Sequence, residues 1–221
     1  MKQGVKSIFI ISLLMNVLIT IPALILLMYS SGIQYHLYQN ILAPKLGRPE
    51  IAFIGDSITR DGGIWAFKIG EYNFNTWNFG HGGLTTRQLR LYGKRVANLR
   101  PKVAFVMAGI NDEDKSLAGA HLSFGYYVEI LDKLQEFGVE PIIQLTLYRE
   151  EEQFVEFVET LNNKLREYAA EHNLSVIDLN PLLCPSQSLL PKYSRDGTHL
   201  TKAAYKIWSK EIRKTLNNKN L

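Results

Sequence analysis

The stretch IAFIGDSITRDGG, residues 51–63, decides how the rest of the chain is read. Four apolar residues, Ile51 to Ile54, run directly into Gly55, Asp56 and Ser57. A short unbroken apolar run closed by glycine fits a strand buried on both faces and ending at a turn. Ser57 lies just past that end, where a serine can cap a helix or attack a carbonyl. The stretch alone leaves both roles open. The choice rests on whether the remaining sequence supplies a base, an acid to orient it and donors for a developing oxyanion.

Outward from this strand the pattern alternates. Apolar runs recur at 103–108, 141–147 and 174–179, with a weaker one at 76–79. Amphipathic stretches lie between them. Residues 85–99 set Leu89, Tyr92, Val96 and Leu99 on one helical face, and residues 122–137 do the same with Tyr127, Ile130, Leu131 and Leu134. Residues 151–171 follow with Phe154, Phe157, Val158, Leu161 and Leu165, and a last helix is expected from Ala203 to Leu216. Strands alternating with helices predict a three-layer α/β/α domain, doubly wound around a mostly parallel five-stranded sheet. Ligands bind such sheets beyond the carboxyl ends of the strands. The informative segments are therefore Gly55–Ser57, then NFGHGGLTT at 78–86, GIND at 109–112 and DGTHL at 196–200. Pocket walls are expected from residues 60–66, Trp65 included, and from 112–124 and 180–195.

Composition narrows the function classes. The 221 residues are 46% hydrophobic and 21% charged, a globular balance. The formal net charge is +4, and Lys2 and Lys6 supply two of those charges, leaving 23 basic against 21 acidic residues elsewhere. That excess is too small and too scattered for a nucleic-acid partner. The acidic run Glu150–Glu152 and the basic tail Lys210–Lys214 read as solvated helix faces. The single cysteine, Cys184, rules out an intradomain disulfide and any CxxC zinc motif, and reads as a small apolar filler.

The N-terminus carries a separate signal. Ile8 to Met28 contains no charged residue and is broken only by Ser12, Asn16, Thr20 and Pro22. As a helix, these residues would span ~31 Å against a hydrocarbon core of ~30 Å. A cleaved signal peptide is the alternative, but its apolar region is ~7–15 residues with a small-residue cleavage site, and Ser30-Ser31-Gly32 is a poor one. Lys2 and Lys6 precede the run, and no Lys or Arg follows until Lys45. This predicts an uncleaved single-pass anchor (residues 1–31, membrane contact through 8–28) with its N-terminus cytoplasmic. Tyr29, Tyr35 and Tyr38 suit the outer interface, residues 32–49 form a linker, and the domain occupies 50–221, outside the cytoplasm. Nothing in the sequence fixes an oligomeric state.

Among the five histidines, only His199 follows an aspartate, Asp196, by three residues just before a helix. That spacing lets a carboxylate hold one imidazole nitrogen and support the imidazolium. Oxyanion donors are available from the Ser57 backbone, from a turn containing Gly80, Gly82 and Gly83, and from the Asn111 amide. Each of these has a bland alternative as a turn, cap or loop residue.

Taken together, GDSIT at 55–59, GGLTT at 82–86, GIND at 109–112 and DGTH at 196–199 resemble the four ordered blocks of the SGNH (GDSL) hydrolase family, across about residues 50–216. Ile58 stands where the family name has Leu, and Leu84 stands where many members are polar, which would alter the pocket rim. The resemblance implies a flavodoxin-like fold, Ser57 as nucleophile, His199 as general base and Asp196 as its orienting acid. It also implies an oxyanion hole made by the Ser57 and Gly83 backbone N–H groups and the Asn111 side chain, with no metal or cofactor. Asp56 then organises the turn, and Asp112 is a lesser rival of Asp196. The expected activity is hydrolysis of acyl esters through an acyl-enzyme, the substrates being short-chain, acetyl-sugar or lysolipid esters. The alternatives are an O-acyltransferase acting on cell-surface glycans and a non-enzymatic glycan-binding module.

Overall fold

The computed structural model describes residues 15–16, 18–20, 47–70 and 75–221. The elements are β1 (Ile51–Gly55), α1 (Ser57–Asp61), α2 (Trp65–Ile69), β2 (Thr76–Gly80), α3 (Thr86–Leu99), β3 (Val103–Met107) and α4 (Leu117–Glu136). They continue with β4 (Glu140–Gln144), α5 (Val155–Glu171), β5 (Ser175–Ile177), α6 (Asn180–Leu183) and α7 (Lys202–Asn218). Single 3₁₀ turns at Glu152–Phe154 and Pro191–Tyr193 complete the order.

The five strands lie in the order β2-β1-β3-β4-β5 and every pairing is parallel. Side chains alternate across the sheet, as a period of two requires. Ala52, Ile54, Ala104 and Val106 face one core, which α3, α4 and α5 cover with Leu89, Tyr127, Ile130 and Leu161. Ile51, Phe53, Val103 and Phe105 face the other, covered by Trp65 of α2 and Trp208 of α7. Phe53 stacks on Trp65 at 4.6 Å and on Phe105 at 4.8 Å, and Trp208 meets Trp65 edge-on at 4.7 Å. The winding reverses between β1 and β3: the chain leaves β1 for β2 on one side, then crosses to β3 on the other. This is the switch point at which open α/β sheets place their ligands, and Ser57 follows the first of the two strands.

Several boundaries differ from the expected ones. β4 stops at Gln144, although the apolar run continues to Leu147 and stays buried. Leu145 N still donates to Ile177 O at 3.0 Å, and past it side chains replace the ladder: Asn162 accepts from Thr146 N at 2.9 Å and donates to Thr146 O at 2.8 Å, and Asn180 donates to the same oxygen at 3.0 Å. α4 begins at Leu117, earlier than its apolar stripe, because Ser116 accepts from Gly119 N at 3.1 Å and caps it. α1, α2 and α6 are too short to show a helical period. Cys184 is buried after α6, and burial pushes its thiol up to about 12.

Most of the segment expected to span a membrane lies outside the described residues. The residues described within it, 15–16 and 18–20, are helical, with Met15, Leu18 and Ile19 exposed. Among the described residues, no helix is long and apolar enough to cross a membrane.

Candidate active site

Ser57 is the first residue of α1, and its placement is set by backbone contacts on both sides. Asp56 is the N-cap, accepting from Ile58 N at 2.8 Å, the turn-organising role expected for it. A Cβ on Gly55 would sit 2.7 Å from Met107 O, and one on Gly80 would sit 2.2 Å from Arg60 N, so both strand ends approach too closely for any side chain. Asn78, buried in β2, donates to Thr59 O at 3.0 Å and Gly63 O at 2.9 Å, and accepts from Gly80 N at 2.9 Å. One amide thus ties α1 to β2. The sequence reading did not single it out; its signal was a lone polar residue inside the weak apolar run.

His199 arrives from the far end of the chain. Its Nε2 lies 3.0 Å from Ser57 Oγ, and its Nδ1 lies 2.8 Å from Asp196 Oδ2. With Nδ1 protonated, the imidazole donates to Asp196 and accepts from the Ser57 hydroxyl. The loop is fixed before α7 begins. Asp196 Oδ1 accepts from the backbone N–H groups of Thr198 at 3.1 Å and His199 at 2.8 Å. Arg195 pairs with Asp61 of α1 at 2.6 Å, and Glu150 N donates to Gly197 O at 3.2 Å. The Asp196 carboxyl is held down at about 2, chiefly by the His199 backbone N–H and then by the imidazole. It is therefore a carboxylate across the whole working pH range.

Besides Ser57, the expected oxyanion donors come from two adjoining segments. Gly83 adopts φ +75°, which accounts for glycine there. The Asn111 amide donates to Leu84 O at 3.2 Å, joining the GIND turn to the Gly83 turn. Asp112, the rival orienting acid, is elsewhere: it accepts from Thr86 N at 2.6 Å, capping α3, and is buried. Its Oδ2 has no hydrogen-bond partner among the described residues. Burial raises the Asp56 carboxyl to about 7; the Ile58 N–H and His199 oppose that rise, and Asp112 adds to it. Trp65 does not line a pocket wall; it is 1% exposed, inside the core. Part of the 112–124 segment lines a cleft of ≈ 570 Å³ between α3 and α4, with Gln88, Leu91 and Tyr126, and none of Ser57, Gly83, Asn111, Asp196 and His199 lines it.

Residues 53–207 match the model of the GDSL-like lipase/acylhydrolase family. No curated protein matches the sequence. Among solved structures, a proposed acylhydrolase from Bacteroides fragilis superposes with TM-score 0.70 at 22% identity, covering 86% of this chain and 98% of that one. A GDSL-like lipase from Bacteroides thetaiotaomicron gives TM-score 0.69 at 20% identity, covering 83% and 98%. A carbohydrate esterase family 3 protein from Talaromyces cellulolyticus gives TM-score 0.63 at 15% identity, covering 78% and 99%.

Proposed function

Because this chain belongs to the GDSL-like lipase/acylhydrolase family and is an ester-hydrolysing enzyme, we propose that it works through a serine acyl-enzyme built on Ser57, His199 and Asp196. The observation that carries this reading is the unbroken relay Ser57 Oγ–His199–Asp196, with contacts of 3.0 and 2.8 Å. His199 Nε2 takes the Ser57 proton as Oγ attacks the acyl carbon. Asp196 holds the imidazole and balances the imidazolium that forms. The Ser57 and Gly83 N–H groups and the Asn111 amide receive the oxyanion. The imidazolium then protonates the departing alkoxide, and a water activated by the freed His199 releases the acid. Exposure of the Asp196 and His199 side chains (54% and 31%) leaves the second step open to water, which favours hydrolysis over transfer to a glycan.

The substrate we propose is a small acyl ester of a polar alcohol, such as an acetylated sugar. The support is the cleft between α3 and α4, which reaches Asp112, the chain neighbour of Asn111, and where Gln88 and Tyr126 offer polar contacts and Leu91 and Leu122 an apolar rim. The carbohydrate esterase among the structural relatives shares the fold. A chain-length series of nitrophenyl esters run beside acetylated sugars tests this: a preference for long acyl chains would overturn it.

For location, we propose that residues 8–28 anchor the enzyme with Ser57 on the non-cytoplasmic side. The support is the uncharged run, the lysines preceding it, and the helical, exposed state of Met15, Leu18 and Ile19.

The decisive experiment on the mechanism is Ser57→Ala. Loss of a nucleophile costs ~10⁴–10⁶ in rate, and the fold should survive. A variant that keeps a tenth of wild-type kcat on a simple ester would remove Ser57 from this role.

A further inference from the structure

The loop between β3 and α4 carries a cation that the relay does not use. The Lys115 ammonium donates to Ile110 O at 3.0 Å and to Gly109 O at 3.3 Å. It also lies 4.9 Å from the centre of the Phe154 ring and 4.6 Å from that of Phe157. The side chain is therefore folded back beneath the turn that carries Asn111. That turn needs a clamp. Gly109 sits at φ +118°, and a Cβ there would meet Leu161 Cδ2 at 2.7 Å. Its carbonyl accepts from Asp112 N at 3.1 Å as well as from Lys115.

The charges around Lys115 are few. Asp112 faces it from its own loop, Asp56 from the β1–α1 turn and Arg149 from the segment after β4; the 3₁₀ turn and α5 present the rings of Phe154 and Phe157. Asp56 and Asp112 are both buried. Negative charge on either opposes an oxyanion forming above them, and at low dielectric that opposition is strong.

We propose that Lys115 is a positioning residue for the oxyanion donor Asn111. Its ammonium fixes the Gly109 and Ile110 carbonyls so that the Asn111 amide is preset, and its charge offsets the buried Asp56 and Asp112. The proposal rests on the serine-esterase reading above. It carries a pH signature. Burial, helped by Arg149 and opposed by Asp112 and Asp56, holds the ammonium down to about 8. The clamp is complete below that pH and weakens as pH rises through it, because the neutral amine keeps N–H donors but loses the charge that strengthens them. An arginine stays charged throughout.

The test measures kcat and KM on a short-chain nitrophenyl ester from about pH 6 to about pH 10, spanning the ordinary histidine and lysine values. The variants are Ser57→Ala, Asn111→Ala, Lys115→Met, Lys115→Arg and the double variant Asn111→Ala/Lys115→Met. Losing an oxyanion donor costs ~10²–10³ in kcat, which is the expectation for Asn111→Ala. Lys115→Met should cost roughly tenfold or more within that bound, with KM unchanged. The alkaline fall of the wild type should vanish in Lys115→Met and move to higher pH in Lys115→Arg, which should recover most of kcat. Adding Lys115→Met to Asn111→Ala should cost clearly less than Lys115→Met costs alone, because the positioning share is already lost and only the charge share remains. Additive losses, a wild-type kcat in Lys115→Met, or a wild-type profile with no alkaline fall would each overturn the proposal. If Lys115→Met does not fold, judged by circular dichroism, the profile of Lys115→Arg decides: an unmoved alkaline fall overturns it. An active Ser57→Ala would instead overturn the serine mechanism itself.

Discussion

Asp56 stands next to the proposed nucleophile, yet its behaviour comes from burial more than from chemistry. It is 1% exposed and caps α1 through Ile58 N, and its carboxyl is raised to about 7. A carboxyl whose folded value lies above its unfolded value binds protons on folding. Its contribution is most favourable below the unfolded value near ~3.9 and is lost as pH rises through about 7. Asn keeps the shape and the capping oxygen without the charge. Asp56→Asn should therefore gain stability relative to wild type as pH is raised from about 5 to about 8. The gain should be a few degrees in Tm, at ~2–4 °C per kcal/mol for a domain of this size. Thermal unfolding at the two pH values checks it, and a pH-independent difference would mean that Asp56 is ionised throughout. The residue scale is also where the sequence was most legible. Motif and position mark Ser57, Asp196 and His199, which the fold brings together, and Asn111, whose oxyanion role is proposed. Neither marks Lys115, because its partners are backbone carbonyls and any loop lysine looks the same in one dimension.

At the scale of elements, the site depends on how closely α1 can lie against β2. Gly80 makes that approach possible: a Cβ there would stand 2.2 Å from Arg60 N and 2.7 Å from Arg60 Cα, both backbone. Backbone cannot swing aside as a long side chain can. Gly80→Ala should destabilise by ~1–3 kcal/mol, the usual cost of forced overpacking, and should lower kcat by shifting Ser57 from His199. Gly125 of α4 is the control, since a Cβ there meets nothing within 4 Å. Gly125→Ala should be neutral or stabilising by up to ~1 kcal/mol. Denaturant melts of the two variants give the comparison, and equal destabilisation would remove the close-approach argument. The alternation of apolar runs and amphipathic stretches foretold the sheet and its covering helices. It did not foretell where β4 ends, because an apolar run reports burial and not pairing. Leu145–Leu147 are as buried as the strand before them, yet from Thr146 on Asn162 and Asn180 take over the hydrogen bonds. α1 and α2, at five residues each, give periodicity nothing to register.

For the whole molecule, the open question is where the hydrolase stands relative to a membrane. An anchor through residues 8–28 predicts that protease added to spheroplasts removes a C-terminal epitope, while the intact protein sediments with membranes beforehand. A protected epitope would reverse the orientation, and a shortened soluble product would replace the anchor with a cleaved signal. Neither outcome bears on the proposed catalytic residues, all of which follow residue 50. The relay also has a reach that only the complete fold supplies: Ser57 and the histidine it touches are 142 residues apart in the chain. The first strand and its serine emerge early in synthesis, whereas the imidazole comes near its end, in the loop before α7. Contacts of such long sequence separation form late and slowly. A nascent chain that stops short of His199 therefore displays a serine without a base, and the relay cannot close until that loop is made and docked. Translation and folding thus act as a timer on an enzyme whose nucleophile is among the first parts of the domain to be made.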